Sequence, residues 1–97
     1  MEEVKKFDVG IIINNVGLGG GGKYFEIDTK IIVKTLIVNF QPAYYINLGL
    51  IPNLRKRENR SAIINIASGT GIHLSHNMGV YGAVKCWLDS YSRTLSL

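Results

Sequence analysis

The chain has 97 residues, of which 46% are hydrophobic, and a formal net charge of +4 at pH 7. This length allows one domain at most, and the apolar content argues against an intrinsically disordered chain. The single cysteine, Cys86, excludes an internal disulfide. The basic excess lies in residues 55–60. Because this run is short and contains an acid, we interpret it as a solvated helix end, with a nucleic-acid or acidic-lipid patch as the alternative.

The first half of the chain predicts a strand followed by a long helix. Residues 7–14 form a continuous apolar run, which is typical of a parallel strand buried on both faces. A glycine-rich loop over residues 18–23 follows this strand. Asp28 is a suitable N-cap for a helix that runs from about residue 29 to residue 54.

The second half repeats this order. Residues 61–67 predict a short β-branched strand, residues 68–79 a polar loop, and residues 80–97 a second helix. Strand, helix, strand, helix is the pattern of an α/β fold. Because the connection between the strands is far too long for a hairpin, we predict parallel strands joined by a right-handed helical crossover.

Two patterns in the loops resemble ligand sites and are given a plainer interpretation. Gly17, Gly19 and Gly22 match a dinucleotide-binding spacing, but no helix is predicted to open at Gly22, and four consecutive glycines make accidental matches easy. We interpret this segment as a flexible flap near the substrate. His73 and His76 lack a nearby acidic or cysteine ligand, so we interpret them as loop histidines rather than a metal site.

Ser68, Tyr81 and Lys85 form the pattern with the clearest chemistry. Tyr81 and Lys85 are four residues apart and share one face of the predicted helix, while Ser68 follows the second predicted strand. A phenol, with an ordinary pKa of about 10, is a weak acid at neutral pH, and a nearby cation favours its phenolate. With a hydroxyl group to hold the substrate oxygen, the set predicts proton transfer to or from a carbonyl or alcohol. The alternative is a packed tyrosine, a solvated lysine and a turn-forming serine.

The order of four motifs resembles the short-chain dehydrogenase/reductase family. The chain has N-N-V-G at residues 14–17, then Asn39 in the long helix, then Ser68, then Y-x-x-x-K at residues 81–85. The sequences N-N-V-G and I-N-I-A-S-G-T-G, the latter at residues 64–71, are most similar to one branch of this family. That branch holds very-long-chain 3-oxoacyl-CoA reductases and related 17β-hydroxysteroid dehydrogenases.

This resemblance implies a partial Rossmann-like fold and a nicotinamide-dependent oxidoreductase, with NADP favoured over NAD. The implied catalytic residues are Asn39, Ser68, Tyr81 and Lys85, and the implied cofactor-binding residues are Asn14, Asn15, Gly17, Tyr81 and Lys85. Tyr81 would donate the proton to the carbonyl, and Lys85 would favour the phenolate and contact the nicotinamide ribose. Ser68 would hydrogen-bond the carbonyl oxygen, and Asn39 would support a proton relay.

By the same resemblance, residues 1–97 correspond to the central segment of the family's domain. We expect this segment to lack the N-terminal glycine-rich cofactor turn and the C-terminal substrate region. The substrate would be a hydrophobic ketone or secondary alcohol of lipid metabolism, such as a 3-oxoacyl-CoA or a steroid. The rival hypothesis is a truncated, non-enzymatic remnant that pairs with a full-length relative.

Assembly and location are implied by the resemblance alone. The family commonly dimerises through its long helices, so a homodimer is expected. The branch suggests the endoplasmic reticulum and a membrane anchor. The longest apolar stretch here, residues 31–54, is interrupted by Lys34, Asn39 and Pro42, so the anchor is expected outside this segment.

Overall fold

The computed structural model describes residues 1–19, 21–73 and 75–96. Its elements are, in chain order, β1 (Ile11–Asn14), α1 (Thr29–Arg55), β2 (Ala62–Asn65) and α2 (Gly79–Leu95), with short 3-10 turns at Val4–Lys6 and Gly69–Gly71. The predicted order of elements is confirmed, although both strands are shorter than predicted. The predicted helix end at Leu97 lies outside the described residues, as do Gly20 and Leu74 in the predicted loops.

The two strands form a parallel pair. Ile11 lies opposite Ala62 and Asn14 lies opposite Asn65, so the strands end together. Helix α1 makes the connection between them, which confirms the predicted α/β fold with a parallel sheet and a helical crossover. The right hand of that crossover stays a prediction.

The expected burial of the first strand on both faces is wrong for this chain. Ile12 and Asn14 are only 6% and 7% exposed, whereas Ile11 and Ile13 are 60% and 61% exposed. Successive side chains of a strand point to opposite faces. Helix α1 covers the face that carries Ile12, through Leu50 and its neighbours, and no described element covers the other face.

Helix α1 begins at the predicted N-cap, and its buried face includes polar side chains. The Asp28 side chain accepts a hydrogen bond of 2.7 Å from the backbone nitrogen of Lys30. The buried side chains of α1 recur at helical spacing and are half polar: Thr35, Asn39, Ala43, Asn47, Leu50 and Leu54. Pro42 and Pro52 lie inside the helix, which continues through both. Each proline lacks the N–H that would otherwise bond the carbonyl four residues earlier.

Helices α1 and α2 meet through aromatic side chains. The ring centres of Phe40 and Trp87 are 4.4 Å apart, and Trp87 stacks on Tyr91 at 4.9 Å. Val84 and Leu88 of α2 are also buried. This contact fixes α2 beside α1. Among the described residues, neither helix has a stretch long and apolar enough to cross a membrane.

Candidate active site

Tyr81 and Lys85 occupy the first two turns of α2. The Lys85 nitrogen Nζ lies 5.7 Å from the centre of the Tyr81 ring, so the four-residue spacing places both side chains on one face. Lys85 is only 4% exposed, and Nζ donates a 3.0 Å hydrogen bond to the backbone carbonyl of Ile66. That carbonyl comes two residues before Ser68. The lysine therefore connects the tyrosine helix to the strand end that carries the serine.

Ser68 caps a single 3-10 turn directly after β2. Its side-chain oxygen Oγ accepts a hydrogen bond of 3.3 Å from the backbone nitrogen of Thr70, and it lies 3.0 Å from the Thr70 hydroxyl. The turn spans Gly69–Gly71. A capping serine has a fixed side-chain position, because its oxygen replaces the missing partner of the turn.

Two glycines let this turn press against α2. A Cβ at Gly82 would lie 2.6 Å from the backbone oxygen of Thr70, and a Cβ at Gly71 would lie 2.9 Å from the backbone nitrogen of Cys86. Real Cβ atoms do not approach backbone this closely, so both positions need glycine. Gly82 directly follows Tyr81. The serine turn is therefore held against the same turn of helix that presents the tyrosine.

Asn39 ties the loop after β1 to helix α1. Its amide nitrogen donates to the carbonyls of Leu18, at 2.8 Å, and Thr35, at 2.7 Å. Its carbonyl oxygen accepts from the backbone nitrogen of Leu18 at 3.3 Å. Asn39 is 3% exposed. Because these contacts occupy the side-chain amide on both sides, the predicted relay role would rest on the Asn39 backbone.

The side chains of Asn39 and Lys85 both lie close to Gly17. A Cβ at Gly17 would lie 3.3 Å from Lys85 Nζ and 3.4 Å from the Asn39 side-chain oxygen. These contacts, with those of the serine turn, bring the four predicted catalytic residues together at the carboxyl ends of the two parallel strands. In open α/β sheets, ligands bind at this end.

The remaining predicted cofactor residues, Asn14 and Asn15, differ in their surroundings. The Asn14 amide nitrogen donates to the side-chain oxygens of Asn47, at 3.0 Å, and Asn65, at 2.7 Å. Asn65 in turn donates to Ser92 of α2 at 2.7 Å. This network joins both strand ends to both helices. Because it occupies the Asn14 amide nitrogen, a cofactor would have to bind the other polar atoms of Asn14. Asn15 is exposed. Cofactor binding by either residue stays a prediction.

Within the described part of the chain, Lys85 is the ionisable side chain of this site that is buried. A lysine ammonium has three N–H donors, and within the described residues Lys85 uses one of them, for a carbonyl rather than a carboxylate. A buried charge is stable only when paired or hydrogen-bonded, so the remaining donors suit a ligand with oxygen atoms. Among residues 1–19, 21–73 and 75–96, no group of three His, Cys, Asp or Glu could hold a metal ion.

Gly22, in the described part of the glycine-rich loop, contacts the loop that precedes the tyrosine helix. The backbone nitrogen of Gly22 donates to the Asn77 carbonyl at 2.8 Å, so this loop lies against the loop that precedes α2. Gly22 has a positive φ of 132°, which favours glycine. Helix α1 begins only at Thr29, in agreement with the interpretation of this glycine spacing as accidental. A flap role for the loop stays a prediction.

Sequence reasoning missed Thr70, Gly71 and Gly82. Thr70 lies in the predicted polar loop. Its contact with Ser68 depends on the 3-10 turn, which the loop prediction does not include. Gly82 carried a usable signal, because an isolated glycine inside a helix lowers helix stability and usually has a packing reason.

The parallel strands, their helical crossover and the position of the site at the strand ends are those of Rossmann-like α/β proteins. The sequence model of the family described as short chain dehydrogenase matches residues 1–97, and the chain belongs to that oxidoreductase family. The predicted family resemblance is therefore confirmed.

Several related proteins align with most of the length of this chain. A very-long-chain 3-oxoacyl-CoA reductase-like protein of Arabidopsis thaliana is 38% identical over 99 residues, which cover 97% of this chain and 31% of the relative. The human protein named inactive hydroxysteroid dehydrogenase-like protein 1 is 30% identical over 96 residues, with 97% and 29% covered. A solved short chain dehydrogenase/reductase from Burkholderia phymatum, in complex with NAD, is 27% identical with a TM-score of 0.86, and 91% of this chain and 31% of that one are covered. The chain thus spans about a third of the length of these proteins.

Proposed function

We propose that this chain carries the catalytic segment of a nicotinamide-dependent oxidoreductase that interconverts a ketone and a secondary alcohol. One observation supports this most strongly. Lys85 is buried without a carboxylate among its described partners, lies 5.7 Å from the Tyr81 ring, and bonds the strand end that carries Ser68. A cation, a phenol and a hydroxyl at the same end of the two strands suit proton transfer to a substrate oxygen.

Each residue has a separate part in this reaction. Tyr81 would give its proton to the carbonyl oxygen in reduction and take it back in oxidation. Lys85 would stabilise the phenolate that remains, because opposite charges at this range attract strongly in a buried site. Ser68 would hold the substrate oxygen beside the phenol. Asn39 would keep the wall of the cleft in place and support a proton relay through its backbone.

The site fits the ribose of a nicotinamide cofactor, which would supply or accept the hydride. Lys85 has N–H donors beyond its bond to the Ile66 carbonyl, and ribose hydroxyls are suitable acceptors. Gly17 has no side chain above Lys85, so a ligand can approach there. Asn14 and Asn15 would line the adjacent wall. We propose NADP in preference to NAD, following the branch that the chain resembles.

The substrate is proposed to be hydrophobic, either a 3-oxoacyl-CoA or a steroid. Support comes from the Arabidopsis relative, which is named a very-long-chain 3-oxoacyl-CoA reductase-like protein. A homodimer through the long helices belongs to the same proposal. It is supported by apolar side chains that α1 leaves exposed, namely Ile31, Val33, Leu36, Ile37, Tyr45 and Leu48.

A second candidate is a non-enzymatic member of the family that pairs with a full-length relative. One observation favours it. The human relative of similar identity is named inactive.

Sequencing of the transcript outward from both ends of the 97-residue chain, and expression of the resulting reading frame, separates the two candidates. A strand, a glycine-rich turn and a helix upstream, together with turnover of a hydrophobic 3-oxoacyl-CoA or steroid ketone, would support the enzyme. Stop codons close to both ends would support the remnant. We call the product of this reading frame the encoded protein.

The 97-residue chain alone is expected to have no reductase activity and little affinity for nicotinamide cofactors. Much of the binding energy for these cofactors comes from a diphosphate held at a helix N-terminus, and α1 begins away from the glycines. Calorimetric titration with phosphorylated and unphosphorylated cofactor, and a ketone turnover assay, check this. Micromolar binding would show that the glycine-rich loop does hold the diphosphate.

A further inference from the structure

We propose that Thr70 is a positioning residue of the active site, which orients the Ser68 hydroxyl so that its proton points to the substrate oxygen. The inference rests on the proposed function and adds a residue to it. Thr70 is partly buried, and its hydroxyl lies 3.0 Å from Ser68 Oγ. It would act through Ser68 and would not touch the substrate.

The hydrogen-bonding capacity of Ser68 limits which partners its proton can have. A serine hydroxyl has one proton to donate and two lone pairs to accept with. One lone pair accepts the backbone N–H of Thr70, at 3.3 Å. If the Thr70 hydroxyl donates into the second lone pair, the Ser68 proton must find its partner elsewhere. The substrate oxygen is an acceptor, so this arrangement leaves Ser68 ready to donate to it.

The opposite direction of the same bond would be inhibitory. If Ser68 donated to Thr70, its proton would already be used, and the substrate oxygen would lose a donor. Hydrogen bonds in a chain polarise one another, so a serine that accepts two bonds is also the stronger donor. The direction of the Ser68–Thr70 bond therefore predicts the sign of the effect when the threonine hydroxyl is removed.

Thr70 has little freedom to move away from Ser68. A Cβ at Gly82 would lie 2.6 Å from the Thr70 backbone oxygen, so the turn packs directly on the α2 backbone beside Tyr81. Gly71 makes a second such contact with Cys86. Packing thus fixes the backbone that carries the threonine hydroxyl, as a positioning residue requires.

The test uses the Thr70→Val variant of the encoded protein, because valine keeps the shape and removes the hydroxyl. We expect kcat to fall about three- to tenfold, which corresponds to one neutral hydrogen bond, while cofactor affinity by titration is unchanged. Thr70→Ser, which retains a hydroxyl, should restore kcat. Thr94→Val is the matched control, because the exposed Thr94 bonds only the Ser90 carbonyl among the described residues.

A double-mutant cycle with Ser68→Ala separates positioning from general stability. If Thr70 acts through Ser68, Thr70→Val has no further effect once Ser68 is alanine. An unchanged or raised kcat in Thr70→Val, or an equal loss in the Ser68→Ala background, would overturn the inference and leave the proposed function standing. An inactive wild-type encoded protein would overturn both.

Discussion

The loop that follows β1 contains five glycines and the loop that follows β2 contains two, and their surroundings differ. After β2, Gly71 lies so close to α2 that a Cβ would be 2.9 Å from backbone, and Gly82 of the helix makes the matching contact. After β1, a Cβ at Gly19 would meet no atom within 4 Å, and one at Gly21 would meet only ordinary contacts, from 3.7 Å. Glycine therefore serves close packing in one loop and conformational freedom in the other.

This difference divides the site into a fixed side and an adaptable side. The fixed side carries Ser68, Thr70 and Tyr81, whose relative positions depend on backbone contacts. The adaptable side is attached by hydrogen bonds rather than by close backbone packing, chiefly those of Asn39 to Leu18 and of Gly22 to Asn77. Proton transfer needs fixed geometry, whereas entry of a substrate needs a boundary that can move.

The largest expected effect is that of Tyr81→Phe, on the fixed side. Loss of a general acid costs about 10²- to 10⁴-fold in turnover, and cofactor affinity should stay nearly intact because only one hydroxyl is removed. Steady-state kinetics and cofactor titration of the encoded protein measure both. Tyr24→Phe, in the segment after β1 where Tyr24 is 65% exposed, is the control and should leave turnover unchanged. Retained turnover in Tyr81→Phe would assign the acid role elsewhere.

The second effect is on stability and tests the close packing itself. In Gly82→Ala the new Cβ would collide with the Thr70 backbone oxygen, so we expect the free energy of unfolding to fall by about 1–3 kcal/mol. Gly79→Ala, at the start of the same helix with no atom within 4 Å, is the control and adds the same methyl group without a clash. Urea or thermal unfolding compares them. Equal stabilities would mean that the turn after β2 is no more fixed than the loop after β1.

The smallest effect is expected where the two sides meet. In Gly17→Ala the Cβ would lie 3.3 Å from Lys85 Nζ, the flexible end of a side chain that can shift slightly. We therefore expect a loss of about two- to tenfold in kcat/KM, worth at most about 1.4 kcal/mol, with little change in stability. Gly19→Ala is the control and should resemble wild type. A loss as large as that of Tyr81→Phe would show that Lys85 cannot adjust.

The sequence alone determined the order of the elements, the cap at Asp28 and the family. These features depend on residues close together in the chain, such as a capping side chain two residues from its donor or a four-residue helical spacing. The motif order also predicted which residues gather at the strand ends, because the carboxyl ends of parallel strands share one edge.

Only the tertiary structure decided the burial of β1 and the surroundings of Ser68. Ile11 and Ile13 are as apolar as Ile12, and their exposure depends on which face the helices cover. The bond between Thr70 and Ser68 depends on a turn held in place by Gly82, which belongs to the following helix α2. Periodicity reports which side chains of one element share a face, but a contact between elements is fixed by how closely their backbones approach.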